Sequence, residues 1–132
     1  MDAATRHLVR QRANQRCEYC QLPQTAALFF SFHMEHIRAK KHGGKDDPQN
    51  LALACPDCNR FKGTDLVTID RETDQEVALF NPRVHTWDDH FVWDAAKIAG
   101  RTPIGRATVR LLKMNEEVRV KMRAELQARG EL

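Results

Sequence analysis

Long apolar runs are absent from this chain of 132 residues. The longest, such as residues 26–30, span five residues, whereas a helix that crosses a bilayer needs about 20. The first fifteen residues contain no apolar segment of the kind that secretory signal peptides carry. We therefore expect a cytoplasmic protein, in which cysteine thiols stay reduced.

Cysteine is scarce, but its spacing is informative. The four cysteines occur as "CEYC" and "CPDC", two C-x-x-C knuckles separated by 34 residues. Each knuckle directs two thiolates to one point, so the pair can complete a tetrahedral metal site. Sulfur fills all four ligand positions, which predicts a structural zinc and leaves no position for substrate. The predicted ligands are Cys17, Cys20, Cys55 and Cys58.

Three alternatives to zinc stay open from the spacing alone: disulfides, a redox-active C-x-x-C pair, and iron. Zinc also answers an energetic need, because the segment between Cys17 and Lys62 has few apolar residues. A structural zinc can contribute about 10–16 kcal/mol to folding.

Net charge is small, at +3, yet it is unevenly distributed. Residues 1–62 hold ten Lys/Arg against six Asp/Glu, and residues 101–132 hold eight against four. Residues 63–100 hold three against eight. Two basic ends around an acidic middle favour a polyanionic partner that touches part of the surface, although solvated faces of differing charge are the plain alternative.

Local signals predict short elements. In order, the sequence predicts a helix from Asp2 to about Gln15 with Leu8 and Val9 inward, a strand over 27–35, a loop over 42–50, a short strand over 51–55 and a helix from Pro56 that ends at Gly63. Beyond these, it predicts a hairpin over 66–80, core aromatics Trp87, Phe91 and Trp93, a helix from Thr102, and a last helix capped by Asn115 with the apolar stripe Val118, Met122 and Leu126.

The motifs between Cys17 and Asp65 resemble a known family. "CEYC", "MEHI", the Gly-Gly loop and "NLALACPDCNRFKG" together resemble the zinc-stabilised branch of the HNH endonucleases. These are ββα-metal nucleases that cut nucleic acid with one divalent cation. The resemblance implies an α+β fold with a small ββα-metal (treble-clef-like) core stabilised by zinc.

The resemblance also implies residue roles. His36 corresponds to the general base, and a neutral imidazole suits that role at neutral pH. Asn50 corresponds to the asparagine that pins the loop and orients the base. Glu35 and Asn59 correspond to ligands of a catalytic cation, where their oxygen atoms favour Mg²⁺ or Mn²⁺. Both depart from the commoner family residues, which are Asp and His respectively.

Basic residues follow the predicted base directly. Near a phosphodiester they would neutralise phosphates, so we expect contacts with DNA of little sequence specificity. The predicted contact residues are Arg38, Lys40, Lys41 and Lys62. His33 is a strand-surface residue, a further metal ligand or a phosphate contact, and His42 is a loop residue that turn geometry or a phosphate contact would explain.

These expectations combine into one architecture. Residues 1–132 are predicted to form a single domain, with a nuclease core over 1–65 and a C-terminal extension over 66–132. The extension comprises the hairpin, the aromatic segment and two helices. The predicted function is metal-dependent hydrolysis of DNA; the alternatives are a zinc-structured module that binds nucleic acid without cutting it, and an RNA-directed or toxin-like nuclease.

Overall fold

A computed structural model describes all 132 residues and divides the chain into two compact units, Met1–Thr64 and Asp65–Leu132. The first unit contains helices α1 (Ala3–Arg12) and α2 (Pro56–Lys62) and strands β1 (His33–His36) and β2 (Leu51–Ala54). The second contains β3 (Val67–Asp70), β4 (Gln75–Ala78), α3 (Trp87–His90), β5 (Phe91–Asp94), β6 (Lys97–Gly100), α4 (Pro103–Leu111) and α5 (Glu117–Ala128). Three two-stranded antiparallel sheets beside helices confirm the α+β class. That the two units form one domain stays a prediction.

The first unit is built on a ββα arrangement. β1 pairs antiparallel with β2, which places His36 opposite Leu51. All four residues of β2 are buried, and for this reason the strand is a continuous apolar run with no polar face. Helix α2 begins directly after Cys55, whose Sγ accepts the N–H of Cys58 at 3.4 Å, with Pro56 in its first turn.

Helix α1 packs through very little of its surface. Val9 is its only buried residue. Leu8 is 46% exposed, so its predicted inward orientation is wrong. Arg12 at the end of the helix donates through Nη2 to the carbonyl oxygens of Pro48 and Leu51, each at 2.5 Å. These bonds fasten α1 to the segment that enters β2.

The strand predicted over residues 27–35 is wrong for its first part. β1 comprises only His33–His36, because its partner β2 offers four residues and four Cα pairs complete the ladder. The residues before β1 therefore have no strand with which to pair. Leu28, Phe29 and Phe30 lie exposed in the loop that results.

The second unit begins with the predicted hairpin and adds one that the sequence did not reveal. The turn between β3 and β4 contains Asp74 at φ 58°, and the turn between β5 and β6 contains Ala95 at φ 51°. Alanine rarely adopts that left-handed conformation. Because the second turn contains no Gly or Asn, no signal in the sequence predicted a hairpin there. Helix α4 packs against both hairpins. A Cβ at Gly105 would lie 1.9 Å from the carbonyl oxygen of His90, so this contact requires glycine.

The three aromatics predicted for the core differ in their burial. Phe91 is 1% exposed and is a core residue. Trp87 and Trp93 are only half-buried, and their ring centroids lie 5.6 Å apart. The prediction thus holds fully for Phe91 alone.

Asn115 does not cap the last helix. Its Oδ1 accepts the N–H of Ile98 at 2.9 Å and its Nδ2 donates to the carbonyl oxygen of the same residue at 2.8 Å. Glu116 occupies the cap position of α5 without a side-chain hydrogen bond. The side-chain amide of Asn115 pairs with the backbone of Ile98 in β6, so it does not cap the helix.

The predicted apolar stripe of α5 is wrong at two of its three positions. Val118 is 71% exposed and Met122 is 44% exposed, whereas Leu126 is buried. The buried face also carries Arg119 and Arg123. Their guanidinium groups donate to the carbonyl oxygens of Leu112, Lys113 and Ala96. An apolar periodicity could not predict this face, because hydrogen bonds to backbone carbonyls compensate the burial of its arginines.

None of the helices combines the length and the hydropathy that a membrane span requires.

Candidate metal and nuclease site

The four cysteines meet at one buried point. All four Sγ atoms lie within 4.8 Å of one another, and those of Cys20 and Cys55 are 3.7 Å apart. Sulfur ligands about 2.3 Å from a tetrahedral zinc would be ~3.8 Å apart. The cluster is therefore compatible with a four-coordinate structural zinc.

Burial affects the protonation of two of these sulfurs. The four cysteines form no disulfide. Burial, and then hydrogen bonds from neighbouring thiols, raise the pKa of Cys17 well above its ordinary value; burial is also the main cause that raises the pKa of Cys58. Burial therefore favours the neutral thiol at these two positions, and a cation at the centre of the cluster would favour the thiolate.

The first knuckle is attached to the sheet by backbone and side-chain bonds. The N–H of Glu18 donates to the carbonyl oxygen of Leu53 at 2.8 Å, and Glu18 Oε2 accepts the N–H of Leu53 at 2.9 Å. Leu53 lies in the middle of β2, opposite Met34 of β1. The first knuckle is therefore bonded to the strand that pairs with the one carrying Glu35 and His36.

Glu35 belongs to a buried polar network. Tyr19, in the first knuckle, donates its hydroxyl to Glu35 Oε2 at 2.6 Å. Lys62, at the end of α2, places its Nζ 2.7 Å from Glu35 Oε1 and donates to the carbonyl oxygen of Ile37 at 2.9 Å. Glu35 is 4% exposed and Lys62 is 2% exposed. Burial raises the pKa of Glu35, and the ammonium of Lys62 is the largest opposing influence.

This network bears on the expected roles of two residues. Lys62 is not a surface residue, because its ammonium is enclosed and paired with Glu35, and its contact with phosphate stays a prediction. Oε1 of Glu35 forms an ion pair with Lys62 but accepts no hydrogen bond, whereas Oε2 accepts the hydroxyl of Tyr19. Glu35 in this arrangement connects the knuckle, β1 and α2, and its role as a ligand of a catalytic cation stays a prediction.

His36 faces a carboxylate that sequence reasoning missed. Its Nε2 lies 2.7 Å from Oδ1 of Asp46, in the loop between β1 and β2. Lys40 Nζ lies 3.5 Å from the same oxygen, and the α-amino group of Met1 lies 3.8 Å from Oδ2. The hydrogen bond with His36 is the main cause that lowers the pKa of Asp46. The only sequence signal for Asp46 was its place just after the Gly-Gly pair.

Asn50 closes the loop that carries Asp46. Its Nδ2 donates to the carbonyl oxygens of Arg38 and Lys45, both at 3.0 Å, and its Oδ1 accepts the N–H of Arg38 at 2.9 Å. A Cβ at Gly44 would lie 1.8 Å from the carbonyl oxygen of Arg38, so the close approach of the two loop ends requires glycine. Asn50 thus positions Asp46 against His36 and does not itself line the groove that contains them.

The buried cysteines, the His–Asp pair and the asparagine-closed loop all lie in a segment that matches a known protein family. Residues 17–65 match the HNH endonuclease family model. The match confirms the resemblance seen in the sequence, and we call residues 17–65 the HNH segment. No curated protein and no solved structure matches the chain.

A groove of about 530 Å³ surrounds the histidine of the HNH segment. It is lined by His33, His36, Lys40 and Asp46 and, from outside the segment, by Arg6 and Arg10 of α1. Sequence reasoning missed the two arginines, although their i, i+4 spacing places them on one helix face. His33 of β1 therefore shares the groove with His36.

The remaining predicted residues lie elsewhere on the first unit. Arg38, Lys41 and His42 are exposed in the loop after β1 and do not line the groove. Asn59 is half-buried on α2. No cluster of three or more His, Cys, Asp or Glu ligands exists other than the four cysteines.

Proposed function

We propose that the first unit hydrolyses phosphodiester bonds of DNA with His36 as the general base. The observation that carries the proposal is the His36–Asp46 pair in a groove that Arg6, Arg10 and Lys40 make basic. The match of residues 17–65 to the HNH family model supports the same reaction class. The C-terminal unit has no assigned part in the reaction.

The His–Asp pair determines which ring nitrogen can act as the base. An ionised carboxylate can only accept hydrogen bonds, so His36 Nε2 carries the proton that it shares with Asp46. The lone pair of a neutral imidazole then lies on Nδ1, which can take a proton from a water molecule. Asp46 stabilises the imidazolium that forms.

The reaction follows from these roles. As His36 Nδ1 removes its proton, the water oxygen bonds to phosphorus, and the bond from phosphorus to the leaving oxygen breaks. Arg6, Arg10 and Lys40 hold the phosphate and neutralise its charge. The departing oxygen takes its proton from solvent.

A catalytic Mg²⁺ or Mn²⁺ was predicted on Glu35 and Asn59, and the residues as arranged do not fit that ligand set. Glu35 is buried, and its oxygens are bound to Lys62 and Tyr19. A hard cation needs several oxygen ligands, and Asn59 alone supplies one amide oxygen. We assign no step to such a cation, and its requirement is a separate arm of the experiment.

Zinc is the metal that we propose for the four cysteines. The donor set, the sulfur spacing and the burial all suit a closed tetrahedral site. Its contribution is to folding: it joins the two knuckles, to which β2 and the Tyr19–Glu35 contact are attached.

The decisive experiment compares wild type with His36→Ala on supercoiled plasmid. The zinc-loaded proteins are assayed without added cation, with Mg²⁺ and with Mn²⁺. His36→Ala should lose about 10²- to 10⁴-fold in rate, the usual contribution of a general base. His42→Ala is the matched control, because this exposed loop histidine lies outside the groove. Cleavage by His36→Ala at the wild-type rate, with native zinc content and circular dichroism, would refute the assignment.

A module that binds nucleic acid without cutting it is the second candidate. The observation that favours it is the pairing of Glu35 with Lys62, which withdraws a predicted cation ligand. This candidate predicts retention of plasmid in a mobility-shift assay and no nicked product with any of the added cations.

A further inference from the structure

Three consecutive apolar side chains project from the first unit just before β1. Leu28 is 84% exposed, Phe29 is 95% exposed and Phe30 is 57% exposed. We call these three residues the apolar tip. No two of the other exposed large apolar residues are neighbours in the chain, so this is the longest run of exposed large apolar residues. An exposed cluster of this kind marks an interaction surface more often than a chance exposure does.

The apolar tip is held in shape by one glutamine. Gln24 Nε2 donates to the carbonyl oxygen of Phe30 at 2.9 Å and to that of Ala27 at 3.4 Å, while its Oε1 accepts the N–H of Phe32 at 2.7 Å. Phe32 is 3% exposed and anchors the end of the loop in the core. The loop backbone is thus fixed while the side chains of the tip point into solvent, which lowers the entropy lost on binding.

The apolar tip adjoins the groove that contains His36. A cavity of about 460 Å³ beside the tip is lined by Arg10 and Ser31, and both residues also line the groove around His36. The groove carries Arg6, Arg10 and Lys40, while its one carboxylate, Asp46, is bound to His36. An apolar surface therefore continues directly into a surface that suits phosphate.

We propose that the apolar tip stacks on unpaired bases of the strand whose phosphate lies in the groove around His36. The inference rests on the proposed nucleic-acid substrate and names its class: single-stranded or locally opened DNA. Nucleic acid presents a phosphate beside each base, which matches a guanidinium beside two aromatic rings. In a paired duplex the faces of the bases are covered by their neighbours, so the tip can stack only where the bases are unpaired.

Binding is measured by fluorescence anisotropy in the His36→Ala background, so that cleavage cannot distort it. The probes are a labelled single strand, a duplex with a central unpaired bubble, and the fully paired duplex. We expect the bubble to bind more tightly than the paired duplex. Phe29→Ser should weaken bubble binding roughly five- to 150-fold, the value of stacking one base on an aromatic ring, and leave the paired duplex almost unchanged.

Two further variants control for the loss of apolar surface. Phe29→Trp keeps an aromatic face and should retain the affinity for the bubble. Val84→Ser removes a side chain that is 74% exposed in the second unit, and it should change no affinity. Because Phe29 makes almost no contact with the core, its variants should keep native zinc content and circular dichroism.

The salt dependence separates stacking from charge. Arg10→Gln should reduce the slope of log K against log salt concentration by about 0.7–0.9, because one phosphate contact is lost. Phe29→Ser should lower the affinity at every salt concentration without changing that slope.

Unchanged bubble affinity in Phe29→Ser would overturn the inference, as would an equal loss on bubble and paired duplex. If Phe29→Ser sediments differently from wild type but binds DNA with the same affinity, the inference is also overturned, because the tip would then be a contact between protein molecules. If wild type does not cleave DNA but Phe29→Ser still loses affinity for the bubble alone, the proposed hydrolysis fails and the base contact stands.

Discussion

Replacing Lys62 with methionine should destabilise the first unit far more than replacing an exposed lysine. The Lys62 and Glu35 side chains are 2% and 3% exposed, and their charged atoms are 2.7 Å apart. Methionine fills similar volume but leaves the buried carboxylate without its cation, with the hydrogen bond from the Tyr19 hydroxyl still in place. Removing one partner of a buried ion pair costs about 3–5 kcal/mol, a large share of the ~5–15 kcal/mol that stabilises a typical domain.

The assay is unfolding by urea, in which the release of zinc to a chromophoric chelator is the measured signal. This signal reports on the first unit, since all four cysteines lie there. Lys41→Met is the matched control: Lys41 is an exposed lysine of the same unit, so the change in stability should stay within about 0.5 kcal/mol. Equal midpoints for Lys62→Met and Lys41→Met would refute the reasoning.

A double variant and a pH series identify the buried charge as the cause. Glu35→Gln combined with Lys62→Met removes both charges and should recover much of the loss. In Lys62→Met the main influence that opposes the raised pKa of Glu35 is gone, so that pKa rises further. When the pKa of an acidic group is higher in the folded state than in the unfolded state, the folded protein loses stability as the pH increases through that pKa. The deficit of Lys62→Met should therefore shrink as the pH falls towards the pKa of Glu35.

Three other substitutions test the remaining contacts. Cys58→Ser should lose zinc and cooperative unfolding, and a stably folded metal-free variant would contradict the structural role. Asp46→Asn should lower kcat about 10- to 100-fold with little change in KM, because a hydrogen bond to the charged imidazolium of His36 is weakened. Asp46→Glu should restore part of the rate. An equal loss in both variants would argue against the pairing of Asp46 with His36. The hydrogen bond from Arg106 is the main cause that lowers the pKa of Asp70 in the folded protein. The ionised Asp70 therefore stabilises the second unit above about pH 4, and this stabilisation is lost as the pH falls through the lowered pKa of Asp70. Asp70→Asn should therefore flatten the acid unfolding curve of the second unit, measured by tryptophan fluorescence, and an unchanged curve would show that another group is responsible.

Local rules predicted most of the first unit. The hinge from β2 into α2 is encoded in a few residues: Cys55 precedes the helix, Pro56 opens it and Gly63 follows its end. These signals act through backbone geometry within one turn, so they can be recognised without knowledge of the fold. Apolar patterning was less reliable, since the run before β1 suggested a longer strand than its partner could support.

The candidate site was only partly accessible from the sequence. Residue types and spacing pointed to His36 and Asn50, because the family motif preserves them. Asp46 could not be selected, since Asp47 beside it offers the same carboxylate and only the loop conformation brings one of them to Nε2. The network around Glu35 was hidden for the same reason: it joins residues far apart in the chain.

The sequence by itself determined the four sulfur ligands, the ββα order and the residues that match the HNH family, because each depends on spacing along the chain. Tertiary structure alone decided which charges are buried and which face solvent. It enclosed Lys62 with Glu35, turned Asp46 to His36, and left Phe29 in water beside Arg10. The physical reason is that burial and pairing are properties of groups brought together by folding, and the free energy of a charge depends on those neighbours far more than on its own residue type.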